Sequence, residues 1–335
     1  RYIVALDESA RFGAPPPHPA FRTAAAPIHM MNLEHEGVGV MLRALLLVGC
    51  LAIFLLTAMD AVMKGLVLAI GVYNTMLWRS MLATVAAGTV WSTGRRKLPN
   101  RPNLTLHGLR AVVIAATTLF FFWGLARLPL AEAIALSFIA PLIALYMAAV
   151  LLGERIGKSA IWGSVAGMAG VVVIMVGKAG HAEWSRDAVL GTGAILVSAI
   201  FYAYNLILAR KQAQIASALE IAFFQNLALA ITLALAAPWL GRLLPQDQWA
   251  HAALATALNL SGLVLLTWAY ARAEAQYLIP IEYTAFVWAI LLGWAVFGET
   301  VEWTTIAGAG MIIAGCLIVA MTKPKLAEPV EPAGV

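Results

Sequence analysis

Charge is scarce in this 335-residue chain: only 12% of residues are Asp, Glu, Lys or Arg. A soluble globular protein carries roughly 25%. With 62% hydrophobic residues, too little polar surface remains to face water on every side, which excludes an ordinary soluble domain. Cysteine is scarcer still. Cys50 and Cys316 lie inside apolar runs and read as small packing residues, neither a disulfide nor a metal pair. Several chemical signatures are missing. There is no GxxxxGK[ST] loop, hence no built-in ATP motor. No HExxH or Cys/His cluster points to a metal hydrolase, and Ser and His form no triad-like arrangement. Neither a metal nor a cofactor is expected. Segments of about ten residues with alternating polarity, the mark of a transmembrane barrel, are also lacking.

What is present is a series of apolar runs about 20 residues long, the length that spans a bilayer core as a helix. Mean hydropathy is +0.85. Ten runs are expected to span, from about 42 to 63, 71 to 92, 104 to 125, 131 to 152, 159 to 177, 188 to 209, 218 to 239, 251 to 271, 276 to 297 and 302 to 321. Residues 1–40 are polar and Pro-rich and read as a disordered N-terminal extension; 323–335 read as a polar tail. The net charge of +5 and pI near 9.3 do not imply nucleic acid. In such a chain the placement of Lys and Arg matters more than their sum. Arg95, Arg96, Lys97, Arg101, Arg110, Arg155, Lys158, Arg210, Lys211, Arg272, Lys323 and Lys325 fall on one side. Lys64, Arg127, Lys178, Arg186 and Arg242 fall on the other. The positive-inside rule then places both termini in the cytoplasm.

The chain also repeats itself. The stretch from Trp123 to Glu154 recurs from Trp268 to Glu299, an offset of about 145 residues. Trp123, Ala126 and Arg127 fall on Trp268, Ala271 and Arg272; Gly153 and Glu154 fall on Gly298 and Glu299. Gly163 and Gly170 meet Gly308 and Gly315 in the same register. Two repeats follow, residues 41–178 and 188–322. Five spans in each makes the second repeat enter the membrane inverted. The expected fold is therefore an all-α integral membrane protein of ten transmembrane helices in two inverted five-helix repeats. Secondary transporters are built this way, with the site near the midplane where the halves meet.

The run LPLAEAIALSFIAPLIALYMAAVLLGERIG, together with Asp60-x-x-x-Lys64 and the following Arg79, resembles the drug/metabolite transporter superfamily, EamA type. The resemblance covers roughly residues 42–321. It implies an inner-membrane carrier with two five-helix repeats around a central cavity, moving amino acids, amines, or nucleoside-like metabolites such as S-adenosylmethionine. The second half departs from the pattern: Phe286 sits where Pro141 would recur, and Pro280 comes six residues earlier.

An ionisable side chain at the bilayer centre costs roughly 2.5–3.5 kcal/mol on insertion scales, so each needs a reason. Asp60 and Arg79 sit at similar depths if spans one and two form a hairpin. They read either as a helix-pinning ion pair or as a pair in which one partner exchanges for a charged substrate group. The repeat carries Asp60 onto Asn205, next to Tyr202, and Arg79 onto Phe224 beside Gln225 and Asn226. These polar positions line a shared cavity or make interhelical hydrogen bonds. Glu282, just after Pro280, reads as a proton or cation site, or as a carboxyl bonded to a neighbouring helix. Trp123 and Trp268 occupy matched positions and read as interfacial anchors or, with Tyr202 and Tyr283, as aromatic walls for a planar or cationic substrate. Ser137, in the span-four run, completes the candidate set. The glycines of spans five and ten read as helix-packing positions. Glu154 and Glu299 read as interface or gating-loop residues, the second with no neighbouring cation to offset it.

The function expected is a secondary active transporter of a small organic metabolite, working by alternating access in the bacterial inner membrane. Its expected partners are the substrate, the lipid bilayer, a coupling proton and a second copy in a homodimer. A membrane-embedded enzyme, or a non-transporting assembly subunit, is the competing class; it would need convergent reactive groups, and the sequence offers dispersed ones.

Overall fold

The computed structural model describes residues 28–93, 101–152, 158–179, 185–213, 218–270 and 281–320. The chain divides into residues 1–43 and a main unit, residues 44–335. Among the described residues the structure is helical and has no strand. Long runs of Ala, Leu, Ile and Val satisfy their own backbone groups as helices, which a lipid surrounding demands.

The helices are α1 (Ile28–Ile70), α2 (Val72–Ser92), α3 (Arg101–Leu125), α4 (Leu130–Ser137), α5 (Ala140–Leu152), α6 (Lys158–Ala179), α7 (Arg186–Ala213), α8 (Ala218–Ala234), α9 (Ala237–Leu240), α10 (Trp249–Tyr270), α11 (Thr284–Phe297) and α12 (Trp303–Ala320). Five stretches are long and apolar enough to cross a membrane: Leu45–Ile70, Asn103–Leu125, Leu130–Leu151, Arg186–Ala209 and Gln246–Ala269. Ile161–Gly177, Phe223–Ala234, Thr284–Phe297 and Trp303–Ile318 are shorter apolar helices. Leu47, Val85, Trp162 and Trp303 are among the large apolar side chains on the outside.

Two expected spans are interrupted. Span four is two helices, α4 and α5, because Pro141 has no N–H to give the Ser137 carbonyl. The chain tightens there, with Phe138 N–H donating to Ala135 O (3.2 Å) and Ile139 N–H to Leu136 O (3.2 Å). Span seven ends at Ala234, and Pro238 opens the short α9. Of the expected ninth span, residues 276–280 lie outside the described residues. A single glycine, Gly71, with φ of +79°, turns the chain from α1 into α2.

Helix pairing follows the repeat. In α6 and α12, the α-carbon of Gly170 lies so close to Gly308 O that a methyl group would strike it, and Gly315 meets Gly163 O in the same way. The repeat offset carries Gly170 onto Gly315 and Gly163 onto Gly308. One contact is thus the image of the other, and the two equivalent helices run antiparallel. The same holds elsewhere. Gly88 faces Phe223 while Tyr73 donates to Leu233 O, so α2 and α8 are antiparallel. Leu130 lies against Gly293 while Phe138 meets Tyr283, so α4 and α11 are too. Between α3 and α7, Ser198 donates to Thr117 O (2.8 Å). The image of that contact, Gly262 against Ala52 and Leu56, joins α10 to α1.

Candidate functional site

Two charged positions on α1 have opposite fates. Asp60 and Lys64 are four residues apart, hence on one face of the helix. Asp60 lies within electrostatic reach of Arg79 on α2, but the two form no contact ion pair. Arg79 is 8% exposed, and its buried Nε has no hydrogen-bond partner. A guanidinium has five donors and no acceptor, and leaving one buried and unused is costly. It is a ready receptor for a planar anion.

Lys64, by contrast, is fully engaged. It was expected to be an outer-side loop charge; it is instead a buried residue of α1. It donates to Leu128 O (2.6 Å), forms an ion pair with Glu299 Oε1, and stands over the Phe297 ring at 5.1 Å. The other Glu299 oxygen accepts from the Leu130 N–H at 2.7 Å. This corrects the expectation that no cation offsets Glu299. Gly298, with φ of +66°, turns the chain back at the end of α11, so that Glu299 N–H bonds Gly293 O (3.1 Å) and the carboxylate faces inward. The cluster ties α1 and the α3–α4 turn to the end of α11.

A third polar group joins the start of α3, the end of α7 and the start of α8. Arg110, counted with the basic residues of one side, lies within α3 and donates from Nε to Asn205 Oδ1 (2.9 Å) and from Nη1 to Gln212 Oε1. Gln212 Nε2 contacts His107 Nδ1 at 2.6 Å, and His107 Nε2 is 3.5 Å from Glu220 Oε1. His107 and Gln212 are 2% and 1% exposed. Tyr202, one turn from Asn205 on α7, is within electrostatic reach of both Arg110 and Glu282. Asn205 is thus bonded to Arg110, and Glu282, just ahead of α11, is exposed.

The remaining candidates are placed as follows. Trp123 is half-buried under the Arg127 guanidinium, 3.4 Å from its ring centroid. Trp268 is exposed at the far end of α10; Ala271 and Arg272, the repeat matches of Ala126 and Arg127, lie outside the described residues, as does Glu154. Ser137 donates to Ile134 O (2.7 Å) at the α4–α5 break. Tyr283 sits edge-on to Phe138, with centroids 5.2 Å apart. The structure therefore joins Asp60 with Arg79, and Asn205 and Tyr202 with Arg110 and Glu282, while Trp123 and Trp268 stand apart near helix ends.

The sequence profile of the EamA-like transporter family matches residues 43–176 and again residues 189–321. The chain belongs to that family. Similar proteins include the pseudopaline exporter CntI of Pseudomonas aeruginosa (strain UCBPP-PA14), 26% identical over 84% of this chain and 98% of that protein. A probable terminal-alkyne amino-acid exporter of Streptantibioticus cattleyicolor is 28% identical over 72% of this chain and 80% of its own. A riboflavin transporter of Rhizobium johnstonii is 27% identical over 64% and 69%. A solved crystal structure superposes with a TM-score of 0.57 at 22% identity, covering 87% of this chain and 99% of that one, which speaks for the fold alone. The chain is thus a membrane transporter of small metabolites built from two EamA repeats.

Within the EamA repeats, sequence reasoning missed His107, Gln212, Glu220 and Trp288. His107 carried a usable signal: an ionisable residue inside an apolar span needs a reason. Trp288, whose ring meets Phe54 edge-on at 5.1 Å, has a buried Nε1 without a hydrogen-bond partner. Nothing in its local sequence separates it from the other tryptophans.

Proposed function

We propose that this EamA-like chain is a secondary exporter of a small metabolite with an amino-acid head group, read by Asp60 and Arg79. The carrying observation is the open pair: a buried guanidinium with an unused donor, facing a carboxylate that does not close on it. A zwitterion fits both, its carboxylate on Arg79 and its ammonium on Asp60. Amino acids and S-adenosylmethionine share that head group. The names of two relatives, a pseudopaline exporter and a probable terminal-alkyne amino-acid exporter, favour export.

In this reading ten helices span the inner membrane, both termini are cytoplasmic, and the two repeats rock about the site in alternating access. The antiparallel pairing of α6 with α12, α2 with α8 and α4 with α11 supports inverted halves. The Lys64–Glu299 cluster then closes the outer side, tying the first repeat to the second. A proton or counter-flowing substrate supplies the driving force. A reporter active only in the periplasm, fused to the C-terminus, is expected to stay silent.

The test is counterflow in proteoliposomes against a panel of amino acids, amino-carboxylate condensates, S-adenosylmethionine and riboflavin. A charge-assisted hydrogen bond is worth about 1.5–3 kcal/mol, so Arg79→Gln is expected to cut flux about tenfold to a hundredfold while leaving the protein folded. Full flux in that variant removes Arg79 from the site. Turnover of a panel compound on one face, without counterflow, would replace a carrier with an enzyme.

A further inference from the structure

The geometry points to His107 as a proton-binding site, held empty by its neighbours and read out by Arg110. Arg110 can only donate. Its Nη1 contact therefore fixes Gln212 with Oε1 toward Arg110 and the amide N–H groups toward His107. At 2.6 Å from that amide, His107 Nδ1 must be the acceptor. The imidazole is then neutral, with its single proton on Nε2, aimed at Glu220 3.5 Å away. A histidine tautomer is set by the hydrogen bond its other nitrogen makes, and here three side chains in a row set it.

Uptake of a proton changes every link. A proton passes from hydronium to the Nδ1 lone pair, leaving water and giving an imidazolium with two donors; one O–H bond is broken and one N–H bond is made. Gln212 now faces a donor and must turn its amide to present Oε1. That turn puts its N–H groups against Arg110, donor to donor, and Arg110 leaves Gln212 while keeping Asn205. Near this end of the bundle, the charged or titratable groups among the described residues are Arg101 and Arg110 on α3, Tyr202, Tyr204, Arg210 and exposed Lys211 on α7, and Glu220 on α8. From α8, Phe224 packs on the imidazole at 5.5 Å. Arg79 of α2 is 12 residues from Trp91, roughly 18 Å along the helix. Glu220 offsets the new charge. Arg110 carries the change to Tyr202, which also feels Glu282. The carrier reading gives such a proton its use, as the coupling ion entering where Lys and Arg cluster; the site itself is read without it.

Nitrogen-15 NMR of the full chain in lipid nanodiscs, labelled at His and Arg, tests this with protons as the only ligand. His107 is assigned by loss of its signal in His107→Gln. At neutral pH the His107 signals are expected to show a bare Nδ1 and a protonated Nε2. On acidification Nδ1 gains a proton and the Arg110 Nε resonance moves with it. In Gln212→Met, which keeps the shape and removes the amide, His107 still titrates and Arg110 no longer follows. A proton on Nδ1 at neutral pH, a His107 that never titrates, or an Arg110 that follows equally in Gln212→Met overturns the proposal. None of these readouts needs transport, so a chain that fails in counterflow but passes here separates the two readings.

Discussion

One helical turn of α1 separates two charged residues that have met opposite ends. Lys64 has a carboxylate, a carbonyl and a ring around it. Asp60 faces an arginine it does not touch. Taking two charges out of water is repaid only when geometry and additional hydrogen bonds satisfy both partners. The Glu299 carboxylate meets that condition, with Lys64 on one oxygen and the Leu130 N–H on the other. The Asp60–Arg79 pair does not, and in the proposed reading the unused Arg79 donor is where the substrate carboxylate sits.

Breaking the tie should give the largest effect. Removing one partner of a buried ion pair costs about 3–5 kcal/mol, because the other is left uncompensated. Glu299→Ala is therefore expected to lower the thermal midpoint strongly, discounted for the part of Glu299 that stays exposed. The double variant Lys64→Met/Glu299→Leu should regain most of that loss, since an apolar pair of similar volume is often neutral. Were both singles and the double equally stable, the cluster would hold nothing together. In this reading the double variant, lacking the outer tie, also leaks substrate.

Next in size is packing between the equivalent helices. Overfilling a close contact costs about 1–3 kcal/mol. Gly170→Leu and Gly315→Leu stand at equivalent positions of the two repeats and should destabilise the folded protein by similar amounts. Strongly unequal losses would break the image relation between α6 and α12. The smallest effect concerns Trp288. Trp288→Phe keeps a ring against Phe54 and removes a buried donor that has no partner. Stability should stay within about 0.5 kcal/mol of the parent chain, measured by the same thermal midpoint.

The duplication was legible because Trp, Arg and Glu are uncommon in an apolar chain, so their recurrence carries weight. The offset it yields relates the observed Gly163–Gly315 and Gly170–Gly308 contacts to one another as images. Composition made the membrane class and helical fold legible for the same reason: lipid leaves the backbone few choices. Partnerships were not legible. Lys64 and Glu299 are 235 residues apart, and charge alone could not say that Gly298 turns one toward the other. Lys64 looked like a connection charge because the end of span one was drawn by hydropathy, which reads a long basic side chain as an edge. Pro141 was visible in the sequence, yet whether a proline bends or breaks a helix depends on what packs beside it. Arg79 was visible as an expensive residue; that its Nε stays unpaired is a matter of tertiary placement.

The most direct test compares a transported amino acid with its methyl ester, which keeps the ammonium and loses the carboxylate. Competition against counterflow of the best panel substrate is measured for the parent chain and for Arg79→Gln. The parent should favour the acid by about tenfold or more, as expected for one charge-assisted contact, and Arg79→Gln should no longer tell acid from ester. Equal discrimination in both proteins would contradict a carboxylate seated on Arg79.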